Sequence, residues 1–168
     1  MNTMSRIIKR ALSVIVLAQL FFLPSFAQAP ATVSYKCMIQ MANYTGEYAY
    51  VVVSLMNPDG DYVKTLYMQG DDPEWYPDLK DWWAFSHAEN ENIDAVTGAT
   101  VGNGERNIIA LVLDASQIDS GYKIRFESAV ENQEYHKVDA EIELNSATIR
   151  NKVDGKGYIR YIRMMPNS

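Results

Sequence analysis

Seven short segments rich in β-branched and aromatic residues, separated by turn signals, set the limits on how this chain can fold. They are 32–42 (TVSYKCMIQMA), 48–56 (YAYVVVSLM), 61–68 (DYVKTLYM), 106–114 (RNIIALVLD), 122–131 (YKIRFESAVE), 135–144 (YHKVDAEIEL) and 158–164 (YIRYIRM). Such segments fit a pleated, half-buried surface and are too short to be helices of a globular core. NPDG at 57–60 sits between the second and third, with Pro58 presetting φ and Gly60 free to turn positive, so 48–68 is expected to be a hairpin. DSG, ENQ and DGKG punctuate the later segments. Short strands with turns between them predict a mainly β fold: an antiparallel β-sandwich of immunoglobulin-like type.

One stretch breaks the rhythm. Residues 69–105 carry no clear strand pattern, and Leu79, Trp82, Trp83 and Ser86 fall near helical spacing, which predicts a short helix around 77–89. An insertion this long in a compact sandwich points to function.

The N-terminus is of another kind. Arg6, Lys9 and Arg10 precede a short apolar run, Ala11 to Leu23, and Ser25-Phe26-Ala27 offers the small residues of a cleavage site. Residues 1–27 are therefore expected to be a secretory signal peptide, with 28–168 as a single β-sandwich domain in the periplasm or otherwise outside the cytoplasm. Loss of the three basic residues moves the net charge from −6 to −9. So acidic a chain lacks the positive face that nucleic acid requires. Its one cysteine, Cys37, has no internal partner and lies in a strand-like run, where a buried, inert thiol is expected. His87 and His136 stand far apart with no neighbour suited to a metal site, and the acidic residues between 59 and 78 lack the spacing of a calcium loop.

The long insertion closes on IDAVTGAT, residues 93–100. D-x-x-T-G-A-T at 94–100 resembles the acceptor motif of bacterial flavin transferases. At average residue usage its five constrained positions co-occur by chance in about one chain in a thousand of this length. The resemblance implies FMN joined through its phosphate to Thr100, with Asp94 as the upstream acid and Thr97, Gly98 and Ala99 as the recognised core. A threonine hydroxyl is not nucleophilic at neutral pH, so base and metal would come from the transferase. The simpler alternative is a glycine-containing loop in which Asp94 and Thr97 cap a turn.

The chain beyond the motif is similar to the bacterial periplasmic domain-of-unknown-function family 2271. The similarity rests on YVKTLYMQGDD (62–72), the Leu79/Trp82 segment, DAVTGAT, the following strand ending in Asp114, and GYKIRFE (121–127). That likeness implies an all-β periplasmic domain, found beside PepSY-type membrane proteins and flavin transferases. An electron carrier bearing covalent FMN is then expected, with a flavin transferase and a membrane or periplasmic redox protein as partners. Of the aromatic residues upstream, Trp75 and Trp83 are the expected ring contacts, in a groove lined by some of Trp75, Tyr76, Trp83 and Phe85, whereas Trp82 is expected to pack inward. Asp94 is expected to hold its own loop by accepting from backbone amides. A cofactor-free immunoglobulin-like binding or assembly module remains the alternative, because a fold does not choose a function.

Overall fold

A computed structural model describes residues 31–166. The expected signal peptide at 1–27 lies outside the described residues. Among the described residues two sheets face each other. The first contains β1 (Thr32–Met41), β5 (Arg106–Asp114), β8 (Val153–Asp154) and β9 (Ile159–Pro166), in the order β5-β1-β9-β8. The second contains β2 (Tyr50–Met56), β3 (Tyr62–Gln69), β4 (Thr97–Gly98), β6 (Lys123–Ala129) and β7 (His136–Glu143), in the order β4-β3-β2-β6-β7. All pairs are antiparallel except β3 with β4. The β2–β3 and β6–β7 hairpins lie side by side through β2–β6, while β1 pairs with β5 within the first sheet. This is the pairing order of immunoglobulin-type sandwiches, with the C-terminal β9 beside β1 where such domains place their first strand.

Sequence pattern explains which faces are covered. In β5 the burial alternates residue by residue, with Ile109, Leu111 and Leu113 turned inward and Ile108, Ala110 and Val112 exposed. That alternation marks a strand with one face in the core and one in solvent. β2 reads YVVVSLM and is buried on both faces. Val51, Val53 and Leu55 join the core between the sheets, and Val52 belongs to a second cluster with Met68, Tyr76, Leu79, Trp82 and Ala129. This second cluster forms because the insertion folds back over the outer face of the second sheet. At the hairpin tip, Gly60 adopts φ 90° and donates to Asn57 O, while the Asn57 side chain accepts from Asp61 N.

The insertion differs from expectation in two respects. Its helix, α1 (Lys80–Glu89), starts later than 77, because Pro73–Asp78 forms a separate 3₁₀ turn opened by Asp72, which accepts from Glu74 N. The insertion also contains a strand after all: Thr97 and Gly98 pair in parallel with Met68 and Gln69. Two residues give no strand signal of their own, and the pairing comes from the chain's return to the β3 edge. Helix α1 ends at Asn90 in the left-handed region (φ 51°). Trp82 is wholly buried, as expected, and its indole N–H donates to Thr65 Oγ1 at 2.8 Å. Glu91 then holds the same threonine, accepting from Thr65 N and Oγ1. The insertion is thus anchored at both ends of its helix.

Candidate functional site

From that anchor the chain runs along the sandwich edge. Asn92, not Asp94, makes the turn: its Oδ1 accepts from Asp94 N at 3.0 Å, and among the described residues the exposed Asp94 carboxylate takes no loop hydrogen bond. Residues Asp94–Val96 form a single 3₁₀ turn. Thr97 follows as the first residue of β4, and its hydroxyl donates to Ile93 O at 2.9 Å. Gly70 N donates to Gly98 O at 2.7 Å, and Val101 bridges to Ala49 ahead of β2. Ala99 and Thr100 therefore span the gap between the ends of β3 and β2, held on both sides by backbone pairing.

Gly98 has a packing role of its own. A Cβ added there would lie 2.2 Å from Tyr67 Oη, and Tyr67 is fixed by the inter-sheet core and by Asn107 Nδ2, which donates to it at 3.2 Å. Gly70, with φ 130°, lies under the Tyr50 ring, where a Cβ would come within 2.2 Å of Cδ1. The loop is therefore built by close approach of backbone to two tyrosines.

Thr100 differs from Thr97 in one chemical respect. It is half-buried, and among the described residues its hydroxyl has no hydrogen-bond partner. It lines an open cleft of about 230 Å³ together with Glu47, Tyr48, Tyr50, Trp75 and Glu131. Trp75 and Glu131 also line an adjoining cleft of about 170 Å³ that reaches Lys80 and Tyr135. Tyr50 meets Tyr76 edge to face, with ring centroids 6.2 Å apart, and Tyr76 Oη donates to Gly70 O. Burial and the nearby Asp71 and Asp72 carboxylates hold the Tyr50 phenol above its ordinary pKa. Burial is also the main cause of the upward shift of Tyr76.

The residues singled out from sequence thus separate. Thr100 and Trp75 share the cleft; Asp94, Thr97, Gly98 and Ala99 form the approach to Thr100. Trp83 lies on α1, stacked on His87 with centroids 5.4 Å apart, and is not among the cleft's lining residues. Tyr76 is buried behind the cleft, and Phe85 stacks on Tyr62. Tyr48 and Tyr50 were not singled out; both precede the insertion and carry the signal of a strand start. Glu47 and Glu131 were missed as well, since neither belongs to a spaced motif.

Two other polar clusters are structural in form. Asp139, fully buried, accepts from Ser128 Oγ and from the backbone amides of Lys156, Gly157 and Ile159. Glu127, also buried, accepts from the Tyr62 and Tyr135 hydroxyls beneath α1, and burial raises its carboxyl above the ordinary range. No group of acidic, histidine or cysteine side chains suited to a metal ion occurs among the described residues. None of their helices is long and apolar enough to cross a membrane.

The fold and this edge define a class: a β-sandwich domain whose helix-bearing insertion completes, with residues flanking β2 and β6, an aromatic, acidic cleft beside a threonine hydroxyl that has no partner among the described residues. The family described as predicted periplasmic protein, DUF2271, matches residues 32–161, and the chain belongs to that family. No curated protein and no solved structure matches the chain.

Proposed function

We propose that this protein is a periplasmic electron carrier whose FMN is joined covalently to Thr100. The observation that carries this reading is the state of the Thr100 hydroxyl: unpartnered, half-buried and beside Trp75 and Tyr50, in the last position of a flavin-transferase-type motif. In the transfer, Thr100 Oγ1 would form a bond to the phosphorus of the FMN half of FAD. The pyrophosphate bond breaks, AMP leaves, and the hydroxyl proton passes to a base of the transferase. Bound there, the flavin supplies the redox chemistry, and the chain's part is to orient and shield it.

The cleft fits such a group in a limited way. It is smaller than the ~300–1,000 Å³ of enclosed ligand sites, so it suits one face or edge of a flat ring rather than the whole cofactor. Trp75, shared with the adjoining cleft, offers an indole face for stacking. Glu47 and Glu131 line the cleft, and none of its lining residues among those described is cationic; Lys80 lies in the adjoining cleft. Carboxylates repel a phosphate, so this cleft is poorly suited to retaining free FMN, and a covalent bond would supply the retention that charge does not. A flavin transferase and a membrane or periplasmic redox protein, of PepSY type for example, would be the partners.

The test is expression in a periplasm that contains the transferase. Wild-type protein and Thr100→Ser should carry flavin fluorescence through a denaturing gel, with the mass increase of one FMN. Thr100→Ala should carry neither. Flavin retained by Thr100→Ala would overturn the assignment of Thr100. Colourless wild-type protein under these conditions would favour a cofactor-free binding or assembly module. The structural roles of Gly98 and of the Thr97 hydroxyl suit that second reading equally well.

A further inference from the structure

We infer that two copies of this chain associate through their β5 edges, in one antiparallel register centred on Ala110. The inference is independent of any cofactor. Among the described residues β5 ends the first sheet, and its nine residues pair with β1 on one side only, in a register without a break. The other sheet ends are guarded. β8 and β4 are two residues long. β7 has a register shift in its pairing, carries Lys137 in an ion pair with Asp81, and is held against the 156–159 loop by the buried Asp139. Short strands, shifts, lysines and inward charges are the usual means by which edges avoid pairing, whereas a long, flat, apolar edge invites it. β5 has none of these protections: its sequence is RNIIALVLD, without proline or lysine, and Ile108 and Val112 are 56% and 55% exposed.

The sequence of β5 is also complementary to itself. An antiparallel pair must keep outward residues opposite outward residues, which excludes every register that is odd in sum. With Ala110 facing Ala110 of the second copy, Ile108 faces Val112 and Arg106 faces Asp114, each twice by symmetry. Slipping by two residues in either direction sets Arg106 opposite Val112 or Ile108 opposite Asp114. Only the register centred on Ala110 joins apolar to apolar and cation to anion at both ends, with the smallest outward side chain on the two-fold axis. Arg106 donates through Nε to Gln40 Oε1 at 3.1 Å, which leaves its terminal nitrogens available to a carboxylate. The first sheets of the two copies would then become one continuous sheet.

Sedimentation of the purified mature chain from about 1 μM to about 1 mM spans weak to moderate affinities and should show a monomer–dimer equilibrium. Ile108→Glu and Val112→Lys should each weaken the dimer by about tenfold or more, since each spoils two cross-strand pairs. The double variant sets the new carboxylate opposite the new ammonium of the other copy, and should recover the dimer to within about threefold of wild type if the register is right. Circular dichroism of each variant verifies that the fold is retained. A protein that stays monomeric throughout, a dimer indifferent to Val112→Lys, or a folded double variant that fails to recover would each overturn the inference.

Discussion

Gly98→Ala, paired with Tyr67→Phe, separates what the motif glycine does for the fold from what a transferase would ask of it. The added Cβ would meet Tyr67 Oη at 2.2 Å, against about 3.4 Å for ordinary contact, so ring or loop must move by roughly an ångström. Overpacking of this kind costs about 1–3 kcal/mol, and a displaced Tyr67 also loses its bond from Asn107 Nδ2, about 1 kcal/mol. Alanine's lower backbone entropy in the unfolded chain returns about 0.5–1 kcal/mol, so the expected net loss is roughly 1–3 kcal/mol. Tyr67→Phe removes the offending oxygen and leaves the ring carbon Cζ at 3.1 Å, tight but close to tolerable. Tyr67→Phe alone should cost about 1 kcal/mol, and Asn107 keeps its second bond, to Gln69 Oε1. In the double variant the losses should be less than additive by about 1 kcal/mol or more, read by urea denaturation as a double-mutant cycle. Strictly additive losses, or a Gly98→Ala protein as stable as wild type, would refute the steric account. Flavin loading of the double variant then isolates recognition: with the fold recovered, continued loss of loading assigns Gly98 to the transferase.

Three further outcomes follow from the same contacts. Trp82→Ala should destabilise by about 3–5 kcal/mol and release amide protection in α1 before β1 or β2. Its indole is fully buried in the cluster beneath the insertion, not in the inter-sheet core; a loss under about 1 kcal/mol by urea denaturation would contradict that packing. Glu127 has a folded-state pKa raised by burial above its ordinary 4.5, so the stability it contributes is complete below that value and is lost as pH rises through the folded-state pKa. Wild type should therefore lose stability relative to Glu127→Gln as pH rises from 4.5 through that raised pKa, whereas parallel thermal curves would show no such coupling. Burial pushes the Cys37 thiol up to about 12, so labelling with a thiol reagent near pH 8 should await unfolding in urea, and prompt reaction of the folded protein would deny the burial.

The sandwich was legible because most strands owe their place to residues within them. The alternation of β5 and the continuous apolar run of β2 specify one open face and two covered faces, and the structure follows both. β4 and β8 were not legible, because two residues carry no period and pair only where the chain brings them. The start of α1 shifted for a related reason. Pro77 and the Asp72 cap favour a separate turn, which the spacing of Leu79, Trp82 and Ser86 does not reveal.

The site shows the same division more sharply. Helical spacing tells which residues share a face, but not which face meets the sheet, so Trp75, Trp83, Tyr76 and Phe85 could be grouped without being sorted. The sorting comes from a 3₁₀ turn that sets Trp75 toward Thr100 while α1 carries Trp83 onto His87. Tyr50 joins the cleft because β2 begins beside the end of β3, a juxtaposition made by the Val51–Gln69 pairing rather than by any motif. The motif sets the two threonines apart by position, and the fold sets them apart by bonding: Thr97 is committed to Ile93 O, while Thr100 lines the cleft and its hydroxyl has no partner among the described residues. A reagent or enzyme that acts on a threonine of this loop therefore meets one hydroxyl already occupied and one available.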